Sequence, residues 1–230
     1  MSEHVPINLR ITRVVEHAPH LRSFFMLPDG TAKPPFTAGQ VAVLAVNGLK
    51  PGYFAFASAP EEDEFEFLIK RSGNGTDALF AAPDTARIEL QEIAGHGFAV
   101  EQFKGHDLVF VGMGTGLAPL RSALRHVFNA RGAYGRLIVL YGARTPDDFC
   151  FEDEMTTEWR AHGVELRQVL SQPDSDWSGP TGYVQSLLDH LIPELRQPLA
   201  LVCGSAEMMT QTQERLLALG FAAEKILTNY

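Results

Sequence analysis

The chain has 230 residues, of which 45% are hydrophobic and 20% are charged, and its formal net charge is −9. This composition is typical of a globular protein and argues against disorder, and the length fits one large domain or two small ones. The charge divides into −5 over residues 1–101 and −4 over residues 102–230. Because neither half is basic, a protein that binds nucleic acid through phosphate contacts is disfavoured.

Two cysteines exclude a four-cysteine zinc site and a four-cysteine iron–sulfur cluster. The sequence has no window approaching about 18 apolar residues, and its start, MSEHVPINLR, lacks a signal-peptide pattern. We therefore expect a cytoplasmic protein with no membrane span and no metal site. In that compartment Cys150 and Cys203 are not expected to form a disulfide.

Short alternating or apolar stretches, separated by turn residues, fill the first hundred positions. Turn sequences include PDG at 28–30, KPG at 50–52 and SGNG at 72–75. Strands are expected at residues 7–15, 21–26, 40–46, 53–58, 64–71 and 87–92, with one short helix at 76–82. Strands of this length and spacing predict an antiparallel barrel or sandwich.

From about residue 105 onward, buried strands alternate with helical periodicity. Strands are expected at 107–111, 137–141, 164–170, 199–202 and 225–227, and helices at 118–130, 147–161, 183–191 and 207–219. This alternation predicts a doubly wound α/β unit with a parallel sheet covered on both faces. Asp153 and Glu154 are interpreted as the exposed face of the second helix. We expect two domains, at residues 1–101 and 102–230.

A glycine-rich turn, GMGTGLAP at 112–119, follows the first of these parallel strands. Glycines let a backbone approach a pyrophosphate, and a helix N-terminus offers N–H donors to it. Leu117 stands where the common GxGxxG motif has its third glycine, and no Lys-Ser/Thr pair follows as in a P-loop. The turn is therefore either a nucleotide site or only a tight connection. Its candidate binding residues are Gly112, Gly114, Thr115, Gly116 and Pro119.

Other candidates follow the second and fourth parallel strands. Because ligands bind at the carboxyl ends of such strands, Arg144 could meet a ribose or phosphate. Cys203, Gly204 and Ser205 form a similar turn, and Cys203 could lie against a bound ring. The alternatives are a solvated arginine and a buried structural thiol.

The order of these pieces resembles the ferredoxin–NADP reductase-like flavoprotein family over nearly the whole chain. GTGLAP at 114–119 stands where the family has Gly-Thr-Gly-Ile-Ala-Pro, and Cys203-Gly204 matches its Cys-Gly-Pro except that Ser205 replaces the proline. Gly182-Tyr183-Val184 is similar to the family's Gly-Tyr-Val. The resemblance implies a Greek-key β-barrel that binds FAD, followed by an NAD(P)-binding α/β domain. It also implies hydride transfer from NAD(P)H to the flavin and electron transfer from the flavin to an acceptor.

The flavin motif of the family, Arg-x-Tyr-Ser, is altered here. The matching stretch is GYFAFAS at 52–58, so Gly52, Phe54 and Ala55 replace its arginine, tyrosine and serine. The resemblance nevertheless implies flavin contacts from Tyr53, Phe54, Ala55, Phe56, Ala57 and Ser58, and from Ile69 and Lys70 on the strand FLIKR. Lys70 or Arg71 could replace the missing arginine.

A second flavin element matches the family more fully. Gly73, Gly75 and Thr76 belong to a turn that the family uses to bind pyrophosphate at a helix N-terminus, although a hairpin loop with an N-capping threonine would read the same way. Several family members end in an aromatic residue that covers the flavin, which Tyr230 could do. On this basis Cys203 and Tyr230 are the predicted catalytic residues.

The resemblance leaves three functions open. The first is an NAD(P)H-dependent flavoprotein oxidoreductase. The second is an electron-transfer subunit of a larger complex, and the third is a degenerate member that binds flavin weakly or not at all. Asp174 follows the third parallel strand closely, and an acidic residue repels a 2′-phosphate, which favours NAD(H) over NADP(H). The expected partners are the nicotinamide nucleotide and a protein electron acceptor.

Overall fold

Six antiparallel strands form the first sheet of the computed structural model, which describes residues 6–191 and 195–229. They are β1 (Ile7–Ala18), β2 (Leu21–Pro28), β3 (Val41–Val46), β4 (Gly52–Ala55), β5 (Phe65–Lys70) and β6 (Ile88–Ala94). Their order is β4-β3-β6-β1-β2-β5, and an antiparallel bridge between Phe56 and Phe67 closes the sheet into a barrel. Because β6 returns to lie beside β3, the topology is a Greek key.

Aromatic side chains fill the barrel. Phe56 and Phe36 stack with ring centroids 4.0 Å apart, and Phe65 and Phe67 each lie within 5.1 Å of Phe56. Such rings remove a large apolar area from water, so this cluster stabilises the barrel strongly. One short helix, α1 (Asn74–Ala81), connects β5 to β6 on the outside.

The second sheet is parallel throughout. Its strands are β7 (Leu108–Met113), β8 (Leu137–Ala143), β9 (Val164–Leu170), β10 (Leu199–Cys203) and β11 (Ile226–Leu227). Their order is β11-β10-β7-β8-β9. The chain adds β8 and β9 on one side of β7 and then β10 and β11 on the other, so the strand order reverses between β7 and β10. The carboxyl ends of those two strands therefore border the crevice where such sheets bind ligands.

Two of the predicted helices match the structure closely, as α2 (Leu117–Phe128) and α4 (Ala206–Ala218). The helix predicted at 147–161 is wrong in its first part. A 3₁₀ turn at Pro146–Asp148 comes first, and α3 (Glu152–Glu154) starts only afterwards and continues as a π-helical turn at Met155–Trp159. The break lies at Phe151, which has a φ of 63° and is buried like its neighbours Phe149 and Cys150. The segment predicted as a helix at 183–191 is a 3₁₀ helix, Val184–His190.

A buried arginine joins the two sheets. Arg121 of α2 donates from Nη1 to Glu66 Oε2 of β5 and to the Ala57 carbonyl, both at 2.7 Å. Its Nε and Nη2 reach the carboxylate of Glu154, at 2.6–3.0 Å. Burial alone would lower the pKa of Arg121, but Glu66 and Glu154 raise it, so the guanidinium stays charged. Glu154 is thus an ion-pair partner, which corrects the expectation of an exposed carboxylate.

A second contact between the sheets centres on Asp148. Its Oδ1 lies 3.0 Å from His20 Nε2 in the β1–β2 turn and 3.4 Å from Lys70 Nζ. Burial would raise the pKa of Asp148, but hydrogen bonds from His20 and Thr145 and the charge of Lys70 outweigh it and hold the pKa at about 2.

The predicted barrel followed by a doubly wound sheet is confirmed. Over residues 6–191 and 195–229, every helix is too short or too polar to cross a membrane.

Candidate functional site

A cleft of about 980 Å³ lies between the barrel and the parallel sheet. The barrel contributes β3, β4, β5 and the turn before α1, and the sheet contributes the ends of β7 and β10. The volume is at the upper end of the usual range for cofactor sites, about 300–1,000 Å³. The cleft is therefore large enough for a dinucleotide.

The glycine turn forms the floor of the cleft on the sheet side. Gly112 pairs with Cys203 across β7 and β10, and a Cβ on Gly116 would lie only 2.6 Å from the Cys203 carbonyl oxygen. A Cβ on Gly112 would meet Leu120 at 2.6 Å, so this glycine permits close packing of α2 on β7. Gly114, Thr115, Gly116 and Pro119 all line the cleft and Gly112 is not among the described lining residues, so the predicted approach of this turn to a pyrophosphate stays a prediction.

Cys203 lines the cleft with only 6% of its surface exposed. Burial raises the pKa of its thiol to about 12, so the sulfur is protonated at neutral pH. Cys150 is also buried with a pKa raised to about 12 by burial, and both cysteines are free thiols. Cys203 is therefore a neutral wall of the site and has no nucleophilic thiolate.

Strand β4 forms the opposite wall. Tyr53 is 74% exposed, and Tyr53, Phe54 and Ala55 line the cleft. The ring of Phe54 lies over Gly52, because a Cβ on Gly52 would be 2.9 Å from Phe54 Cε2. Phe54 therefore presents an aromatic face beside the cleft, and a side chain at residue 52 would have to displace its ring.

The turn before α1 forms one end of the cleft. Gly73 has a φ of 90°, and Thr76 Oγ1 accepts a hydrogen bond from the Ser72 amide and donates one to the Gly73 carbonyl. Gly73, Gly75 and Thr76 line the cleft. The threonine therefore fixes the conformation of the turn that borders the site.

The charge of the cleft is opposite to that of the whole chain. Lys50, Lys70 and Arg71 line it, and none of the described residues that line it is Asp or Glu. In a protein with a net charge of −9, this local excess of cations favours an anionic ligand.

Several predicted contacts lie elsewhere. Phe56, Ala57 and Ser58 are completely buried, in the barrel core or at the α2 seam, where the Ser58 carbonyl accepts from Ser122 Oγ at 2.6 Å. None of the three is among the described residues that line the cleft, because Phe56 packs on Phe36 in the barrel and the Ala57 amide donates to the Glu66 carbonyl. Arg144 is exposed and donates to Gln172 at 2.9 Å. Tyr230 lies outside the described residues.

The lining residues that were not predicted from sequence include Lys50, Met113 and Asn229. Asn229 Nδ2 donates to the Gly39 carbonyl at 3.1 Å, while its buried Oδ1 has no hydrogen-bond partner. The amphipathic pattern gave no signal for Lys50, which lies in a loop, or for Asn229, which only the tertiary fold brings to the barrel. Met113 was visible inside the glycine motif as its one large side chain.

A smaller pocket of about 260 Å³ adjoins the cleft beyond Met113 and Ser205, which line both cavities. Gln185 and Gln211 lie in it, and Gln185 Nε2 donates to Gln211 Oε1. The buried Gln185 Oε1 has no partner. Glu207 is the one charged residue among the described residues that line this pocket.

Residues 110–214 match the sequence model of an oxidoreductase NAD-binding domain. Ferredoxin–NADP reductase B of Sorangium cellulosum is 30% identical over 227 residues, which covers 93% of this chain and 92% of the relative. The chain belongs to the ferredoxin–NADP reductase family. It is therefore an oxidoreductase whose cofactors are FAD and a nicotinamide nucleotide.

Other relatives of this reductase-family chain differ in length and description. Fruit protein pKIWI502 of Actinidia deliciosa is 32% identical, and the match covers 77% of this chain but only 59% of that protein. The chain is 30% identical over 230 residues to a probable dihydroorotate dehydrogenase B (NAD(+)) electron transfer subunit of Methanothermobacter thermautotrophicus, 80% of which is covered. A ferredoxin–NADP reductase from Neisseria gonorrhoeae, crystallised with FAD and NADP, has the same fold, with a TM-score of 0.80 at 21% identity over 99% of this chain and 98% of that one.

The residues of the cleft fit the flavin cofactor of the family. Its cationic lining suits phosphates, its apolar wall of Leu68, Ile69 and Phe54 suits an aromatic ring system, and the unpaired Asn229 Oδ1 can accept a hydrogen bond from a ring N–H. An orphaned acceptor in a cofactor-sized cleft is the arrangement expected when a ligand supplies the missing donor.

Proposed function

We propose that this chain oxidises NADH at the cleft, with FAD as the bound cofactor, and delivers the electrons to a protein acceptor. The observation that carries the proposal is a cleft with three cationic and no acidic side chains among its described lining residues, bordered by two glycine turns. When bound, FAD takes a hydride from the reduced nicotinamide and releases electrons to an acceptor, which is chemistry that belongs to the cofactor.

The protein's own contribution is binding, orientation and close approach. The turn at Gly73–Thr76 and the cationic lining favour phosphates, and Phe54, Ala55, Ile69 and Lys70 border the flavin. On the sheet side, Gly114, Thr115, Gly116 and Gly204 allow a nucleotide to approach the backbone, while Ser205 lies between the two cavities. Cys203 holds its proton and closes the wall behind the reacting ring. Hydride transfer depends on this positioning, because no acid or base is needed for it.

We further propose that the two sheets are two domains, divided at residues 101 and 102, with the flavin on the first and the nicotinamide nucleotide on the second. The change of sheet between Ala94 and Leu108 supports this division. Tyr230 as an aromatic cover over the flavin remains a prediction.

The preference for NADH rests on the smaller pocket. A 2′-phosphate needs cationic or donor side chains, whereas the charged residue there is Glu207, which repels it. The unpaired Gln185 Oε1 is an acceptor and suits a ribose hydroxyl or an amino group. We expect NADH to have a KM at least about tenfold below that of NADPH. Glu207→Gln should reduce the ratio of these two KM values. Equal KM values for both nucleotides would contradict this preference.

A second candidate function is an electron-transfer subunit of a larger complex. It is supported by the full-length similarity to a protein described as such a subunit. In that case, the isolated chain would reduce dyes with NADH but would reach its natural acceptor only within an assembly. The net charge of −9 favours a basic partner surface.

The decisive experiment is the visible absorption spectrum of the purified protein, before and after addition of FAD, followed by anaerobic addition of NADH. We expect flavin bands that NADH bleaches. A colourless protein that binds no added FAD would exclude both the oxidoreductase and the subunit, and would support the degenerate alternative. Flavin bands that NADH leaves unchanged would contradict the proposed electron donor.

A further inference from the structure

The three cations that line the cleft differ in the partners they have. Arg71 Nε lies 2.6 Å from Asp77 Oδ1, and Lys70 Nζ lies 3.4 Å from Asp148 Oδ1. Within residues 6–191 and 195–229, Lys50 has no carboxylate at ion-pair distance, and its side chain is exposed. A charge that is not already neutralised by a neighbour is the one most available to a ligand.

Lys50 also lies near the end of the cleft that the turn before α1 forms. Its loop directly follows Val46, and Val46 Cβ would be 3.3 Å from a Cβ placed on Gly75, in the first turn of α1. The loop that starts at Val46 and carries Lys50 therefore adjoins the first turn of α1, and both line the same cavity. The glycine turn of the sheet, at Gly114–Gly116, lines the other side.

Residue 52 cannot supply the charge. A Cβ there would be 2.9 Å from Phe54 Cε2 and 3.1 Å from Phe54 Cζ, so a long side chain would displace the ring that borders the flavin. The ring of Phe54 thus covers the position at which the family resemblance leads one to expect an arginine, while Lys50 stands two residues before it on the same wall.

We propose that Lys50 binds the phosphates of FAD in this chain and takes the role that Gly52 cannot fill. The inference rests on the proposed function, because it assumes that the cleft binds FAD. It assigns the contact to a loop residue and leaves Arg71 and Lys70 as parts of the protein's own ion pairs.

The test is FAD affinity, measured by quenching of flavin fluorescence on titration into protein freed of flavin. Lys50→Gln should raise the Kd for FAD about tenfold or more and should flatten the dependence of log Kd on log salt. Lys50→Arg keeps the charge and should stay close to wild type. Lys104→Gln is the matched control, because Lys104 is an exposed lysine outside the cleft and should change the Kd less than about twofold.

Each outcome separates the inference from the function on which it rests. If wild-type protein binds no FAD, the proposed function falls and the inference falls with it. If wild-type protein binds FAD and Lys50→Gln binds it equally well, the function stands and the role of Lys50 is refuted. A larger loss in Arg71→Gln than in Lys50→Gln would also refute it, because the phosphate contact would then belong to Arg71.

Discussion

The Nη1 atom of Arg121 lies 2.7 Å from Glu66 Oε2, and both side chains are almost completely buried, at 6% and 2% exposure. Arg121 belongs to the helix that starts at the glycine turn, and Glu66 belongs to the strand that carries Ile69 and Lys70. This ion pair therefore fixes the two walls of the cleft relative to each other.

Removing the arginine should be severely destabilising. Arg121→Met leaves Glu66 buried without its cation and leaves Glu154 with Arg125 Nη1 at 3.4 Å, which we expect to lower the free energy of unfolding by about 3–5 kcal/mol. Urea unfolding measures it. Arg136→Met is the control, because the Arg136–Glu165 pair is more exposed and should cost about 1 kcal/mol or less. Similar losses in both variants would show that burial of the pair is not what matters.

The glycine turn should not tolerate a methyl group at residue 116. Gly116→Ala places Cβ 2.6 Å from the Cys203 carbonyl oxygen, and backbone atoms cannot rotate away. We expect a loss of about 1–3 kcal/mol in stability and a higher KM for the nicotinamide nucleotide. Gly132→Ala is the control, because nothing lies within 4 Å of its Cβ. An unchanged KM in Gly116→Ala would contradict the close approach.

The contact at Asp148 should make stability depend on pH in the acid range. The folded pKa of about 2 lies below the ordinary value of 3.8, so the stabilisation is complete above about pH 4 and is lost as the pH falls towards 2. Asp148→Asn should therefore be less stable than wild type at neutral pH, with the two converging near pH 2. Thermal unfolding across this range measures it. Asp29→Asn is the control, because it removes an exposed pair with Arg10 and should change stability little. A stability difference between Asp148→Asn and wild type that stays constant as the pH falls would contradict the mechanism.

Both thiols should be unreactive in the folded protein. Burial raises the pKa of Cys150 and of Cys203 to about 12, and only the thiolate is a good nucleophile. Titration with a disulfide reagent at neutral pH should detect no fast thiol before denaturation and two after it. Cys203→Ser should leave the pH profile of activity unchanged. Rapid reaction of one thiol in the native state would reassign Cys203 as a nucleophile.

Local patterns predicted the fold well because the pattern and the tertiary structure agree at most elements. The strand at 164–170 matches β9, Val164–Leu170, and the glycine turn lies at the crevice because parallel strands share one carboxyl edge. The helix predicted at 147–161 is wrong at its start because three buried residues and the left-handed Phe151 belong to the seam between the sheets, which no local pattern reveals.

The site was predicted less completely than the fold. Gly114 and Gly73, which belong to local glycine motifs, do line the cleft, and their binding role stays a prediction. The family's flavin stretch suggested that Phe56, Ala57 and Ser58 also line the cleft, but all three are buried. Lys50 and Asn229 were missed because they reach the site only through long-range packing. Such packing produces no pattern in the sequence around either residue.

The hydrogen bond from Asn229 to the Gly39 carbonyl joins positions 190 residues apart. Contacts of such sequence separation form slowly, because the intervening chain must first be ordered. During synthesis, all six barrel strands leave the ribosome long before β11 does. A barrel that folds early therefore lacks the Asn229 side of its cleft until the end of the chain has been made. The side of the cleft that Asn229 contributes is therefore expected to be the last part of the cavity to form during synthesis.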